Sequence, residues 1–294
     1  MSTSAAPNPT TEPHGGRPGA QGGTGRPARP PERRPERPGF LASPAATVVL
    51  PLTALVILIA LWWVLTALLD VPSYVVPSPA DVAAKLSEHG PYLLRMTWVT
   101  FVETIVGFAL AIVIGIPVAM VIARWDTADR MASPLLTALN AVPKVAIAPI
   151  LVVWMGFGLG PKIVMVVLMA VFPIVLSTVA GLRSTPAELI ELSRSLRASD
   201  LQEFVRIRFP WALPQIFTGL QTAISLAVVG AVIGEFIGAT EGLGFIIVQS
   251  GASADTALAF AALVLLALLS VLMYYVLILA ERLALPWRPR RDGN

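Results

Sequence analysis

Long apolar blocks without charge alternate with shorter polar segments along the chain. Most blocks run for about 20 residues or more, which is enough for a helix to cross ~30 Å of hydrocarbon. A further block is interrupted only by Lys144, and we count it as one crossing. The pattern predicts an all-α integral membrane protein with six transmembrane helices, at residues 46–69, 98–123, 134–158, 163–182, 211–238 and 256–280.

The composition supports a membrane protein and removes several kinds of site. Only 13% of the residues are charged and the mean hydropathy is +0.74, whereas a soluble domain carries about 25% charged residues. The chain has no cysteine, which excludes disulfides and thiolate metal sites. Its two histidines, His14 and His89, lack metal-ligand spacing and lie outside the predicted helices. We therefore expect no metal, no cofactor and no catalytic site in this chain.

The terminal segments and the basic residues predict the topology. Residues 1–39 hold nine prolines and seven glycines without an apolar cluster, so they are predicted to be disordered. Residues 40–285 form the predicted transmembrane domain, and residues 286–294 a basic tail. If the amino terminus is cytoplasmic, the cytoplasmic segments hold 17 of the 21 Lys and Arg residues, and the outside loops hold only Lys85, Arg95 and Lys162. The positive-inside rule therefore predicts that both termini are cytoplasmic.

One loop between the first two predicted transmembrane helices carries a helix-start signal. Ser78-Pro79, followed by Asp81, is typical of a helix amino terminus. A short helix over residues 78–88 beside the membrane is one interpretation. A simple connector is the other.

The longest polar segment between two crossings, residues 184–209, predicts an amphipathic helical hairpin. Thr185-Pro186 indicates a helix start, and a second short helix is predicted at roughly 200–208. The first helix places three leucines on one face: Leu189, Leu192 and Leu196. Such a hairpin can lie on lipid headgroups or dock in a groove of another protein. The residues alone leave these two possibilities open.

The spacing of residues in this segment is similar to a motif of known transporters. Glu191-Leu192-Ser193, three residues, Arg197, nine residues, and Ile207-Arg208-Phe209-Pro210 match the pattern Glu-Ala-Ala, three, Gly, nine, Ile-x-Leu-Pro. That pattern marks the permease subunits of bacterial ABC importers. Three further segments resemble the branch that carries sulfonates, taurine, nitrate and thiamine precursors: Val76-Pro77-Ser78-Pro79, Gly234-Glu235-Phe236-Ile237-Gly238 and Glu241-Gly242-Leu243-Gly244.

The resemblance implies a type I importer permease in the bacterial plasma membrane. It implies a second permease copy, two cytoplasmic ATPase subunits and an extracytoplasmic binding protein that delivers a small solute. It leaves open which solute of that branch, or which other one, is carried. The coupling segment would sit in a cleft of the ATPase through Glu191, Leu192, Ser193, Leu196, Arg197, Ser199, Asp200, Phe204, Ile207 and Pro210.

This chain departs from the motif at three positions. Leu192 and Ser193 replace the two alanines, and Arg197 replaces the glycine. Glycine in such a turn supplies a backbone conformation that arginine enters only with strain. The turn is therefore expected either to stay within helical backbone or to meet a different partner surface.

No nucleotide site is expected within the chain itself. It lacks the Gly-x-x-x-x-Gly-Lys-Ser/Thr phosphate loop, so ATP hydrolysis would belong to a partner. The alternative is an ion-coupled secondary transporter, which needs ionisable residues inside the membrane. Glu103, Lys144 and Glu235 are the candidates for that role.

The candidates for the translocation path are Asn140, Lys144, Glu103 and Glu235, and Lys144 is the main one. If the third helix begins near Pro134, Lys144 lies ~15 Å deep, close to the bilayer midplane, with Asn140 one turn earlier. Glu103 and Glu235 could partner it only if helices shift. The functional hypothesis is that Lys144 eases the passage of an anionic solute. The alternative is a helix that starts near residue 145, with Lys144 reaching the cytoplasmic interface.

Four glycines recur every four residues near the end of the fifth predicted helix. On a helix they would form one smooth stripe that allows close backbone contact. Packing within the subunit is one interpretation, and contact at a dimer axis or along the path is the other. The four are Gly230, Gly234, Gly238 and Gly242.

Overall fold

The computed structural model describes residues 44–69 and 72–286. The predicted tail at residues 1–39 and residues 287–294 lie outside the described part. Contacts divide the chain after Val49 into two units, and residues from Leu50 onward form the larger one. All regular elements within the described ranges are helical.

Eleven α-helices follow one another in the described residues, with one short 3₁₀ turn and one π turn between them. The 3₁₀ turn lies at Lys144–Ile147 and the π turn at Phe204–Arg208. The α-helices are α1 (Pro44–Leu68), α2 (Pro79–Glu88), α3 (Gly90–Arg124), α4 (Asp126–Ala141), α5 (Ala148–Met155), α6 (Leu159–Arg183), α7 (Ala187–Ser195), α8 (Asp200–Glu203), α9 (Phe209–Gly238), α10 (Leu243–Ala252) and α11 (Thr256–Ala284).

Five of these helices are long and apolar enough to cross a membrane: α1, α3, α6, α9 and α11. A sixth crossing exists only if α4 and the 3₁₀ turn with α5 count together, because the two parts meet at 75°. The prediction of one continuous helix at 134–158 is therefore wrong. Pro143 has no N–H and forces Val142 into extended backbone, so the helix ends at Ala141.

The short helix before the second crossing exists as α2. Ser78 accepts a hydrogen bond from the backbone N–H of Asp81 (3.2 Å), and Asp81 accepts one from the backbone N–H of Ser78 (3.0 Å). This capping box satisfies backbone donors that would otherwise lack partners at a helix start. Residues 78–88 therefore form a short capped helix rather than a simple connector.

The core is built around α6, which packs between α3 and α9. Val166, Ala170 and Ile174 of α6 are buried in one cluster with Phe108 of α3 and Ala227 of α9. Gly230 of α9 approaches Met165, whereas Gly219 approaches Ser177. Because the α6 residue number rises as the α9 number falls, the two helices run antiparallel.

Three of the predicted stripe glycines lie on α9, and the fourth does not. Gly230 and Gly234 face the α6 backbone, so they serve packing within the subunit. Gly238 lies beside Val152 and ends α9. Gly242 lies beyond that end and precedes α10, with φ of +119°. The stripe on the helix therefore ends at Gly238, which is also the last residue of the predicted helix 211–238.

Adding a methyl group at Gly230 tests the close contact of α6 and α9. A Cβ there would lie 2.9 Å from the Met165 carbonyl oxygen and the Val166 Cα. Backbone atoms cannot rotate away, so we expect Gly230→Ala to cost about 1–3 kcal/mol. Thermal unfolding of the purified protein in detergent measures this loss.

Gly251→Ala is the matched control. A Cβ at Gly251 on α10 would meet nothing within 4 Å, so its midpoint should be unchanged or slightly raised. Equal midpoints for the two variants would contradict the packing role of Gly230.

Candidate functional site

The coupling segment begins with α7 and turns sharply at Arg197. The Arg197 φ is +58°, in the left-handed region that favours glycine. The N–H of Ala198 donates to the Ser193 carbonyl (3.0 Å), and the N–H of Arg197 donates to the Arg194 carbonyl (2.9 Å). These two bonds form a Schellman motif, which ends the helix. The expectation that this turn stays within helical backbone is therefore wrong, and the expectation of a different partner surface stays a prediction.

The second arm of the predicted hairpin is not a separate helix. Ser199 caps α8 by a reciprocal pair of bonds with Gln202, and the chain then continues through the π turn into α9. Pro210 lies in the first turn of α9, and the N–H of Phe209 donates to the Phe204 carbonyl five residues earlier. A proline cannot donate and crowds the preceding turn, so a wide turn replaces the expected break.

Glu203 holds the coupling segment together, and sequence reasoning missed it. Its buried carboxylate lies 2.6 Å from Arg208 Nη2 and 3.5 Å from Arg194 Nε. The Ser193 hydroxyl also donates to it (3.4 Å). Ser193, predicted as an ATPase contact, therefore lies inside the segment. The sequence spacing does not single out Glu203, because Arg194 lies in α7 and Arg208 in the π turn, and neither is at a helical i, i+3 or i, i+4 spacing from it.

Other predicted coupling residues divide between the interior and the surface. Phe204 packs against the core of the protein, with its ring 6.4 Å from that of Phe209. Asp200 forms an ion pair with Arg124 at the end of α3 (2.7 Å). Glu191 is exposed. The most exposed apolar side chains of the segment are Leu192 (57%), Leu196 (74%), Leu201 (72%) and Val205 (54%).

A cavity of about 350 Å³ opens beside this segment. Its lining joins the end of α3 to the coupling segment, with Arg124, Arg194, Asp200, Glu203 and Arg208 as its charged members. Each of these charges already has an ion-pair partner. The cavity therefore adds no unpaired charge to the coupling segment.

The structure does not bring Lys144 to either predicted carboxylate. Its ammonium donates to the Asn140 side-chain oxygen (3.0 Å) and to the Asn140 carbonyl (3.3 Å). It also lies 4.7 Å from the centre of the Phe172 ring. Phe172 is in the middle of α6, so Lys144 lies level with the middle of that helix, and it begins a 3₁₀ turn rather than lying within an α-helix.

Glu103 instead pairs with Lys162, and Glu235 is bound by other groups nearby. The Lys162 ammonium donates to Glu103 Oε1 (2.6 Å) and to the Glu241 carbonyl (3.3 Å). The placement of Lys162 in an outside loop is wrong, because it lies in the first turn of α6 and is buried. Glu235 accepts from the Thr100 hydroxyl (2.7 Å) and from the Gly244 N–H (2.6 Å).

The start of α11 is tied to α2 by one ion pair outside the crossings. Lys85 Nζ lies 2.9 Å from Asp255, which also caps α11 through the Leu258 N–H. The hydrogen bond between them lowers the pKa of Asp255 and raises the pKa of Lys85. A lowered carboxyl pKa means that this stabilisation is present near neutral pH and is lost on acidification through that pKa.

No group of three or more His, Cys, Asp or Glu side chains converges as metal ligands would, within residues 44–69 and 72–286. Residues 111–285 match the family of the binding-protein-dependent transport system inner membrane component. The chain belongs to this family.

Relatives of the permease agree with this assignment. It is 36% identical over 76% of its length to a probable ABC transporter permease of Haemophilus influenzae, covering 92% of that protein. It is 33% identical to a formylaminopyrimidine transport permease of Halalkalibacterium halodurans (82% and 96% covered). It is 29% identical to the taurine permease of Escherichia coli (82% and 90% covered). The predicted sulfonate, taurine and thiamine-precursor branch is confirmed.

A solved structure supports the fold. An inward-facing form of the MetNI methionine ABC transporter matches with a TM-score of 0.57 and 25% identity, covering 70% of the permease and 99% of that chain. The predicted all-α fold of a type I importer permease is confirmed. The chain is thus a multi-pass membrane permease of ABC transport systems.

Relief of the Arg197 conformation gives a direct test of the turn. A left-handed non-glycine residue costs roughly 1–2 kcal/mol, so Arg197→Gly should raise the free energy of unfolding by up to about 1 kcal/mol. Thermal unfolding in detergent reports the change.

Arg197→Val is the opposing variant, because a β-branched residue fits this backbone worse than arginine. Its midpoint should fall below that of the unaltered permease. A lower midpoint for Arg197→Gly than for Arg197→Val would argue against the left-handed turn.

Proposed function

We propose that this permease forms the translocation path of an ATP-driven importer, together with a second copy, two ATPase subunits and an extracytoplasmic binding protein. Both termini face the cytoplasm in this proposal. The supporting observation is the exposed apolar surface of the coupling segment, on a permease whose relatives serve ABC systems. Arg194, Glu203 and Arg208 form ion pairs within the segment and Asp200 pairs with Arg124. Glu191 and the leucines of α7 and its end stay exposed and are free to meet a partner.

The ATPase contact would use Glu191, Leu192 and Leu196, on the exposed side of α7 and its end. An apolar side chain that is more than half exposed gains roughly 1.5–3 kcal/mol when fully buried. A groove in a protein can bury it fully, as helix-in-groove recognition does. Predicted contacts through Ser193 and Phe204 receive no support from their positions, because both face the interior. They act by shaping the segment.

The path would run along one open face of α9. Four polar residues there are exposed at intervals of three or four positions, which places them on one side of the helix: Gln215, Thr218, Thr222 and Ser225. The hydroxyls of Thr218 and Thr222 donate to backbone carbonyls one turn earlier. A polar stripe inside a transmembrane helix faces water or protein rather than lipid. We infer that it faces the path and the second copy.

Lys144 would add the positive charge of this path. A lysine at mid-depth costs at least ~2.5 kcal/mol against lipid, and an amide oxygen and an aromatic face offset that only in part. The relatives are named for a formylaminopyrimidine, riboflavin and taurine. The proposed cargo is a small polar organic solute of this kind, tested by uptake of labelled taurine, alkanesulfonates and pyrimidines.

Glu191→Lys and Leu196→Asp test the coupling contact. Each should abolish uptake and ATPase copurification while the permease stays in the membrane, because the contact would bury these side chains. Leu283→Asp is the matched control, since Leu283 near the end of α11 is equally exposed (75%). Retained ATPase copurification in both test variants would refute the contact and favour lipid docking.

Lys144→Met and Lys144→Arg test the path. Loss of the charge should cut uptake at least about tenfold with assembly intact, equal to ~1.4 kcal/mol, and arginine should retain most uptake. Assembly is checked by size-exclusion chromatography of the purified complex. Full uptake with methionine would leave Lys144 as a membrane anchor only.

A further inference from the structure

One buried cluster has no part in the coupling segment or the proposed path. It joins Glu103 of α3, Lys162 of α6 and Glu235 of α9 near the start of α10. Their exposed fractions are 2%, 6% and 1%. Three helices and one helix start therefore meet at a site that holds three ionisable side chains and almost no water-accessible surface.

The charges of the cluster do not balance if all three groups are ionised. Two carboxylates face one ammonium, and the Glu103 and Glu235 carboxyl groups lie within electrostatic range of each other. The neighbouring cation, Arg95 of α3, is engaged at the surface by Glu241. The Glu241 carboxylate adds further negative charge near Glu103. No titratable residue lies on α10.

A net negative charge would be expensive at this depth. Even after relaxation, the penalty for a buried ion without a partner is several kcal/mol. In practice such a group takes up a proton instead of remaining charged. A carboxyl pair that shares one proton is a known arrangement where two carboxyl groups approach closely.

The hydrogen-bond network can accommodate a proton on the carboxyl pair of Glu103 and Glu235. The Leu243 N–H donates to the Thr100 hydroxyl oxygen (2.9 Å), so this oxygen has one lone pair and its own proton left. Thr100 can donate to Glu235 (2.7 Å) or, if Glu235 is protonated, accept from it and donate to the Met96 carbonyl (3.3 Å). Glu103 Oε2 has no hydrogen-bond partner among the described residues. This orphan oxygen is the second independent sign that a proton belongs here.

We propose that Glu103 and Glu235 together hold one proton, so that the cluster with Lys162 is neutral and latches α10 to α3 and α9. The latch includes two backbone N–H groups, those of Leu243 and Gly244. Any movement that parts α9 from α3 exposes the pair to water. Both carboxyl groups ionise there at neutral pH, so opening of this corner releases the proton.

Infrared spectroscopy of the purified permease in lipid nanodiscs tests the proton directly. A protonated carboxylic acid has a carbonyl stretch that is separate from that of a carboxylate and shifts in D₂O. We expect this band in the unaltered permease at neutral pH. Glu235→Gln and Glu103→Gln should each remove it, because one carboxylate then remains beside one ammonium.

Glu241→Gln is the matched control and should keep the band, since Glu241 is paired at the surface. The thermal midpoint of the unaltered permease should fall from mildly acidic to alkaline pH as the proton is lost, and that of Glu235→Gln should stay level. Absence of the band in the unaltered permease, or its survival in both single glutamine variants, would overturn the proposal. Neither ATPase nor substrate is present, so failure of the proposed transport function would leave this result unaffected.

Discussion

The close backbone contact between α6 and α9 is the interaction on which the rest of the structure depends. In lipid there is little hydrophobic drive to bring helices together, so association relies on close packing and polar contacts. Gly219, Gly230 and Gly234 allow α9 to approach α6 along most of its length. The coupling segment lies at one end of this contact, and the cluster of Glu103, Lys162 and Glu235 lies at the other end.

The α9 helix of this contact belongs to a long continuous helical stretch. The α8 helix, the π turn and α9 form one helical stretch of 39 residues, from Asp200 to Gly238, or ~58 Å at 1.5 Å per residue. One end carries Glu203, which ties it to α7 through Arg194 and Ser193. The other carries Glu235, which ties it to α10. A displacement of the coupling segment would therefore be transmitted to the buried cluster along one continuous helical stretch, without an intervening loop.

Local patterns in the sequence predicted what local physics decides. Hydropathy located five helices that are long and apolar enough to cross a membrane, and Ser78-Pro79 with Asp81 located α2. The glycine position of the motif indicated where the chain turns after α7. In each case the deciding atoms are within a few residues of each other, so a single stretch of sequence contains the information.

The remaining features were missed because partners meet only on folding or because two local signals compete. Lys162 follows a Gly-Pro pair and was interpreted as a loop cation, but Glu103, 59 residues away, makes its burial possible. Glu203 is one of several charges in a polar segment until folding brings Arg194 and Arg208 to it. The bend after Ala141 had a local signal, because Pro143 disfavours a helix there. The apolar residues on both sides of Pro143 nevertheless favoured the prediction of one continuous helix.

The two lysines near the crossings show why hydropathy cannot assign roles to buried charge. Lys162 is neutralised by carboxyl groups in a closed cluster, so its charge serves cohesion. Lys144 has only an amide oxygen, a carbonyl and an aromatic face among the described residues. These contacts orient the ammonium without cancelling its charge, and its side chain remains partly exposed. In the proposed path, a charge that is held in place but not neutralised would be available to a passing solute, whereas one paired with a buried carboxylate would not.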